Sequence, residues 1–130
     1  MTDTMRCGEP HRLHVKALEL TGDDHACARR LLELITETNR TTLMALRDSV
    51  ETAEWDCVGS AAHRIAGSAR MFDCSDLLAL LTQLETAARE REAAVATTLL
   101  PRVAEAVASL DRSIGSILGP TFVPRAANAS

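Results

Sequence analysis

The chain has 130 residues, the usual length of one domain, and a domain of that size buries roughly two-thirds of its unfolded surface, enough for an independent core. With 46% hydrophobic and 25% charged residues it reads as globular rather than disordered. A formal charge of -4 supplies no basic face for nucleic acid, and the uninterrupted apolar runs fall far short of a membrane span.

Aromatic residues make up only 2%, with one Trp, two Phe and no Tyr. Leu and Ala dominate and β-branched runs are absent, a balance that predicts an all-α protein with close helix packing. The segment Met1 to Met5 lacks both a basic stretch and an apolar one, so no secretory leader is expected and a cytoplasmic domain is. In a reducing compartment Cys7, Cys27, Cys57 and Cys74 are expected as free thiols, with Cys57 and Cys74 filling the core.

Residues 1–10 read as a flexible leader. A short helix is expected from His11 to Leu20, broken by Thr21-Gly22-Asp23-Asp24, where Asp23 or Asp24 can cap the next helix. That helix runs from Asp24 to Ser49 on the stripe Ala28, Leu31, Leu32, Ile35, Leu43 and Leu46. Asn39 and Thr42 interrupt it and should lie at a boundary or hydrogen-bond across the bundle. Val50-Glu51-Thr52-Ala53 is a tight connection to a helix from Glu54 to Met71. Asp73 is expected to cap the following helix, whose stripe is Leu77, Leu78, Leu81, Leu84 and Ala88. Asp76 lies favourably near that helix's positive end. Arg89-Glu90-Arg91-Glu92 marks a turn or a helix surface. A last helix carries Leu99, Leu100, Val103, Val107, Leu110, Ile114 and Ile117, with a kink or restart expected at Pro101. Gly119-Pro120 should stop it, leaving 119–130 as a flexible tail. Four long amphipathic helices with short links predict an antiparallel four-helix bundle over 11–118, with a short additional N-terminal helix.

The Glu54–Met71 helix carries the most informative residues. At about 100° per residue, Trp55, Val58, Ala62, Ile65, Ala69 and Phe72 share one stripe. His63 points away from it, beside Asp56, Gly59, Ser60, Gly67 and Arg70. A glycine in a helix interior costs ~1 kcal/mol relative to alanine. Two of them flanking one exposed imidazole imply that something large approaches the ring. The alternative is that these small residues admit a neighbouring helix of the same protein. A neutral imidazole is a nucleophile, and a bond at one ring nitrogen fixes the tautomer for attack by the other. Glu85, at the seam of the next helix, could accept that bond, or could instead reach solvent or pair with Arg89. Arg64 and Arg70 could neutralise phosphoryl charge, or be plain solvated arginines. Cys7, His11 and His14 resemble a fragment of a metal site but lack a fourth ligand, so no metal is expected. His25 reads as helix surface. Asn128-Ala129-Ser130 matches a glycosylation acceptor, which carries no meaning without a secretory signal. No phosphate-binding glycine loop, Ser/His/Asp arrangement or nucleotide site is visible.

Taken together, Ala62-His63, Ile65, Gly67 and Ser68, the opening pair Glu54-Trp55, the pair Leu84-Glu85 and the Thr21–Asp24 turn resemble the histidine-containing phosphotransfer (HPt) domain of multistep phosphorelays. The likeness spans Leu13 to Leu118. The His-Arg-x-Ala-Gly wording is similar to HPt modules at the C-termini of hybrid sensor kinases of the BvgS/EvgS type. Two positions depart from the family. Its lysine is Ala66 here, and its glycine at the turn after the helix is missing, with Asp73 and Cys74 in that region.

The resemblance implies that His63 accepts a phosphoryl group from a receiver-domain aspartate and passes it to a response-regulator aspartate. Glu85 would orient the imidazole, and Arg70 or Arg64 would replace the absent lysine. Gly59, Ser60, Ala66, Gly67 and Met71 would form the partner-binding surface. It further implies no cofactor on this chain, Mg²⁺ on the receiver, receiver domains as partners, no autonomous catalysis, and a monomeric domain. The location implied is cytoplasmic, as a module of an inner-membrane sensor kinase. The competing reading is a non-catalytic helical adaptor with His63 incidental. A kinase dimerisation segment is disfavoured, because it needs an acidic residue after the histidine and a proline shortly beyond, where this chain has Arg64. A metal- or haem-binding bundle would want inward-facing His or Glu-x-x-His pairs, and none is seen.

Overall fold

The computed structural model describes residues 9–119, all of whose regular structure is helical. Five helices follow in order: α1 (Pro10–Leu20), α2 (His25–Glu51), α3 (Trp55–Met71), α4 (Ser75–Arg89) and α5 (Ala93–Leu118). Cys7, Pro120 and the Asn128–Ser130 sequence lie outside the described residues, as do most of the expected leader and tail.

α2 packs on α3, α3 on α4, α4 on α5, and α5 back on α2, so the four long helices close a ring, while α1 lies against α2 and α5. Leu32, Leu46, Ile65, Leu77, Leu81, Leu84, Leu110 and Ile114 fill the interior with no solvent exposure worth the name. The most extensive interface joins α3 to α4, and both helices bury small residues, Ala62, Ala66 and Ala69 on α3 and Ala87 and Ala88 on α4. Small side chains let two backbones approach closely, and α3 packs more extensively on α4 than on any other helix. By length and composition α5, whose most apolar 18-residue window has a mean hydropathy of 1.3, could cross a membrane. Here its Leu99, Val103, Val107, Leu110 and Ile114 are buried in the bundle. α5 is one continuous helix through Pro101, so of the expected kink or restart the restart does not occur.

The first four helices end the same way. After α3, the Asp73 N–H donates to the Arg70 carbonyl and the Cys74 N–H to the Ala69 carbonyl. Equivalent pairs of bonds close α1, α2 and α4. This is the Schellman arrangement, which places one residue in the left-handed region and normally favours glycine there. Gly22 serves after α1, but Ala53 (φ 58), Asp73 (φ 57) and Arg91 (φ 57) occupy the position elsewhere. Asp73 is therefore the left-handed residue of its turn and not the expected cap of α4; that place is taken by Cys74, with no side-chain cap bond. Asp24 does cap α2, accepting from the Cys27 N–H at 3.1 Å, and that bond holds its carboxyl below the ordinary carboxylate value.

Asn39 is buried and its Nδ2 donates to Ser68 Oγ across the α2–α3 seam at 3.1 Å, the cross-bundle bond its position predicted. A second polar contact, between α2 and α5, sets Arg40 Nη2 3.5 Å from Asp111 Oδ2. Arg40 Nε, Asp111 Oδ1 and Thr36 Oγ1 are buried without a hydrogen-bond partner among the described residues. Burial pushes the Asp111 carboxyl up to about 6, against the opposing pull of Arg40. Cysteine placement corrects the expectation in two respects: Cys57 is exposed rather than in the core, and Cys74, fully buried, is disulfide-bonded rather than a free thiol.

Candidate functional site

α3 buries one face and exposes the other because its apolar residues recur at helical spacing. His63 lies on the exposed face with 71% of its side chain open to solvent. Its Nδ1 is 3.8 Å from Glu85 Oε2, and the Glu85 side chain is only 27% exposed. That separation is an ion-pair distance, just beyond hydrogen-bond range, so a small side-chain adjustment lets a neutral ring donate Nδ1–H to the carboxylate. Glu85 comes from α4, one helix away, and it has no ion pair with Arg89 among the described residues; Arg89 instead donates weakly to Thr86 Oγ1. With Nδ1 turned toward Glu85, Nε2 is the nitrogen left for chemistry.

Gly59 and Gly67 flank the ring, and a Cβ built on either meets no atom within 4 Å among the described residues. These glycines therefore do not admit another helix of the same chain. The conformational cost of two glycines has no intramolecular packing to offset it, which leaves the open approach to His63 as their structural effect.

The partner-facing set separates in the structure. Gly67, Ser60 and Met71 are exposed, and Gly59 partly so. Ala66 is 1% exposed, part of the buried core, and so cannot be part of a docking patch as expected. At helical spacing it falls on the same side of α3 as Ala62 and Ala69, which are buried with it. Arg64 and Arg70 are both exposed. Neither lines the shallow depression around His63; its walls are Trp55, Asp56, Gly59, Glu85, Arg89 and Arg91, among others. Trp55 and Arg91 were not expected to line this site. Trp55 counts toward the core stripe by periodicity, and Arg91 reads as an ordinary turn residue. Among the described residues no cluster of three or more His, Cys, Asp or Glu side chains could hold a metal ion.

A family model for the Hpt domain matches residues 30–113, a span that includes α3, α4 and most of α2 and α5. The chain belongs to the Hpt domain family. Its place is that of a histidine carrier of two-component phosphorelay signalling. Curated relatives include the virulence sensor protein BvgS of Bordetella pertussis and of Bordetella bronchiseptica, each 38% identical over 72 residues. The matched region is 55% of this chain but 6% of each relative, so the chain spans a small part of those sensor proteins' length. No solved structure matches it.

Proposed function

We propose that His63 is the phosphoryl-accepting residue of this Hpt domain, taking the group from the aspartyl phosphate of one receiver domain and passing it to the aspartate of a response regulator. The observation that carries this reading is a single imidazole, 71% exposed, whose Nδ1 faces a carboxylate and whose flanking glycines look onto open space. In the accepting step the Nε2 lone pair forms a bond to phosphorus as the acyl phosphate P–O bond breaks, and the electron pair leaves with the receiver's carboxylate. The Nδ1 proton stays on the ring, where Glu85 stabilises the positive charge that develops. The return step reverses these bonds on the second receiver. Such transfer depends on positioning and charge neutralisation rather than on covalent assistance from other residues. Mg²⁺ would be carried by the receiver, whose acidic pocket supplies the other half of the site. Partner contact would run over Gly59, Ser60, Gly67 and Met71, all on the exposed side of α3. By likeness to the sensor relatives, the domain would act on the cytoplasmic side of the membrane within a hybrid sensor kinase pathway, as a monomer.

The test is incubation with a phosphorylated receiver and Mg²⁺. The expected product is an acid-labile, alkali-stable phosphoryl label on this chain, absent from His63→Gln, which keeps its helical circular dichroism. Label of unchanged amount on His63→Gln would move the acceptor elsewhere and leave the adaptor reading standing.

A further inference from the structure

The family's lysine position is Ala66, a buried alanine, so this position supplies no cation to the ring. A phosphoryl group arriving at His63 also meets two carboxylates, Asp56 and Glu85, on the walls of the same depression. An exposed phosphoryl dianion beside two carboxylates is disfavoured unless positive charge is close. The two arginines on α3 are poorly placed for this. Arg64 is rotated about 100° from His63 and Arg70 lies about 10 Å along the helix axis, and neither lines the depression. The depression itself holds two other guanidiniums: Arg89, in the last turn of α4, and Arg91, in the α4–α5 turn. Neither forms an ion pair among the described residues, so both charges are uncommitted. Arg89 lies one turn beyond Glu85, and because α3 and α4 run antiparallel this places it toward the start of α3, level with Gly59.

We infer that Arg89 and Arg91 together replace the absent lysine, holding the phosphoryl group of phospho-His63 from the Trp55–Gly59 side of the ring. This rests on His63 being the acceptor. Two guanidiniums offset the two carboxylates and make the local charge favourable to a dianion, with planar donors suited to phosphoryl oxygens. They are positioning residues for the carrier's phosphorylated state, supplied by α4 and its turn.

The experiment uses phosphoramidate as a small phosphoryl donor, so that receiver docking plays no part, and follows the intact protein by ³¹P NMR. Wild type should show a phosphohistidine resonance, lost in His63→Gln; no resonance in wild type would remove the acceptor assignment and this inference with it. Given that resonance, the Arg89→Ala/Arg91→Ala double variant should be phosphorylated roughly tenfold more slowly at low salt. The pH at which its phosphoryl group becomes dianionic should rise, since nearby cations favour the dianion. The Lys/Lys double variant should recover most of the loss, and high salt should shrink the difference. The Arg64→Ala/Arg70→Ala variant, with the same change in net charge, should behave as wild type. Equal effects from the two alanine pairs, or no effect from either while the wild-type resonance is present, would overturn the assignment to Arg89 and Arg91 and leave that of His63 intact.

Discussion

Replacing Gly67 with alanine should make the protein more stable and a poorer carrier. The Cβ added at Gly67 meets nothing within 4 Å among the described residues, so the substitution incurs no steric cost within the fold. Alanine for glycine inside a helix is worth about 0.8–1 kcal/mol, which for a domain of this size raises Tm by roughly 3–6 °C. Gly59 also sits inside α3 with open space beyond it. It is eight residues away, about 12 Å along the axis, so the two gains should add to about 2 kcal/mol in the double variant. A partner that seats its loops on this face meets the opposite situation. A methyl group pressed into a close-packed contact costs about 1–3 kcal/mol, enough to slow transfer from a receiver roughly tenfold. Gly67→Arg should slow it further while keeping the stability gain, because arginine is also a good helix former. The assays are urea unfolding by circular dichroism and single-turnover transfer from a phosphorylated receiver. A loss of stability in Gly67→Ala would show that something packs on this face. Unchanged transfer in Gly67→Arg would refute the argument that the glycines keep the approach open.

Glu85→Ala should slow phosphoryl transfer about fivefold, the equivalent of one lost hydrogen bond of ~1 kcal/mol, and ¹⁵N NMR of the His63 ring should show a mixed tautomer; an unchanged ring spectrum would reduce Glu85 to a surface carboxylate. Ala53→Gly should raise stability by about 0.5–1 kcal/mol by relieving a left-handed alanine (φ 58) in the α2–α3 turn; a lower urea midpoint would count against strain at that turn. Asp111 titrates near 6 when folded and at 3.8 in the absence of structure, so between those pH values the folded state binds the extra proton. Its contribution therefore favours folding below about pH 4 and is lost as pH rises through about 6, a change of about 2–3 kcal/mol at most. Asp111→Asn should remove that component, narrowing the stability difference between pH 5 and pH 7 relative to wild type; an equal difference in both proteins would show that Asp111 does not titrate in this window.

Periodicity alone was enough to place the helices, because an amphipathic stripe at 3.6-residue spacing has one good way to bury itself. The stripe of α3 put His63 outside, and that solvent-facing geometry holds in the fold. The pairing of α3 with α4 is equally local in origin, since the turn between them spans only Phe72 to Cys74. The cross-seam bond of Asn39 was anticipated because a polar residue on an apolar stripe needs a partner. Where the sequence misled, the competing facts were three-dimensional. Asp73 is a favourable cap residue by type, yet the Schellman closure of α3 demanded a left-handed residue at that position. Ala66 lies only three residues from His63, but that step turns it into the buried core, where the missing lysine's position is sealed. Arg89 and Arg91 are far from His63 along the chain and carry no periodic signal; only the antiparallel return of α4 brings them beside the ring. Which residues face inward is a property of one helix and can be read along it. Which charges surround the exposed imidazole depends on how two helices meet, and no single stretch of sequence records that.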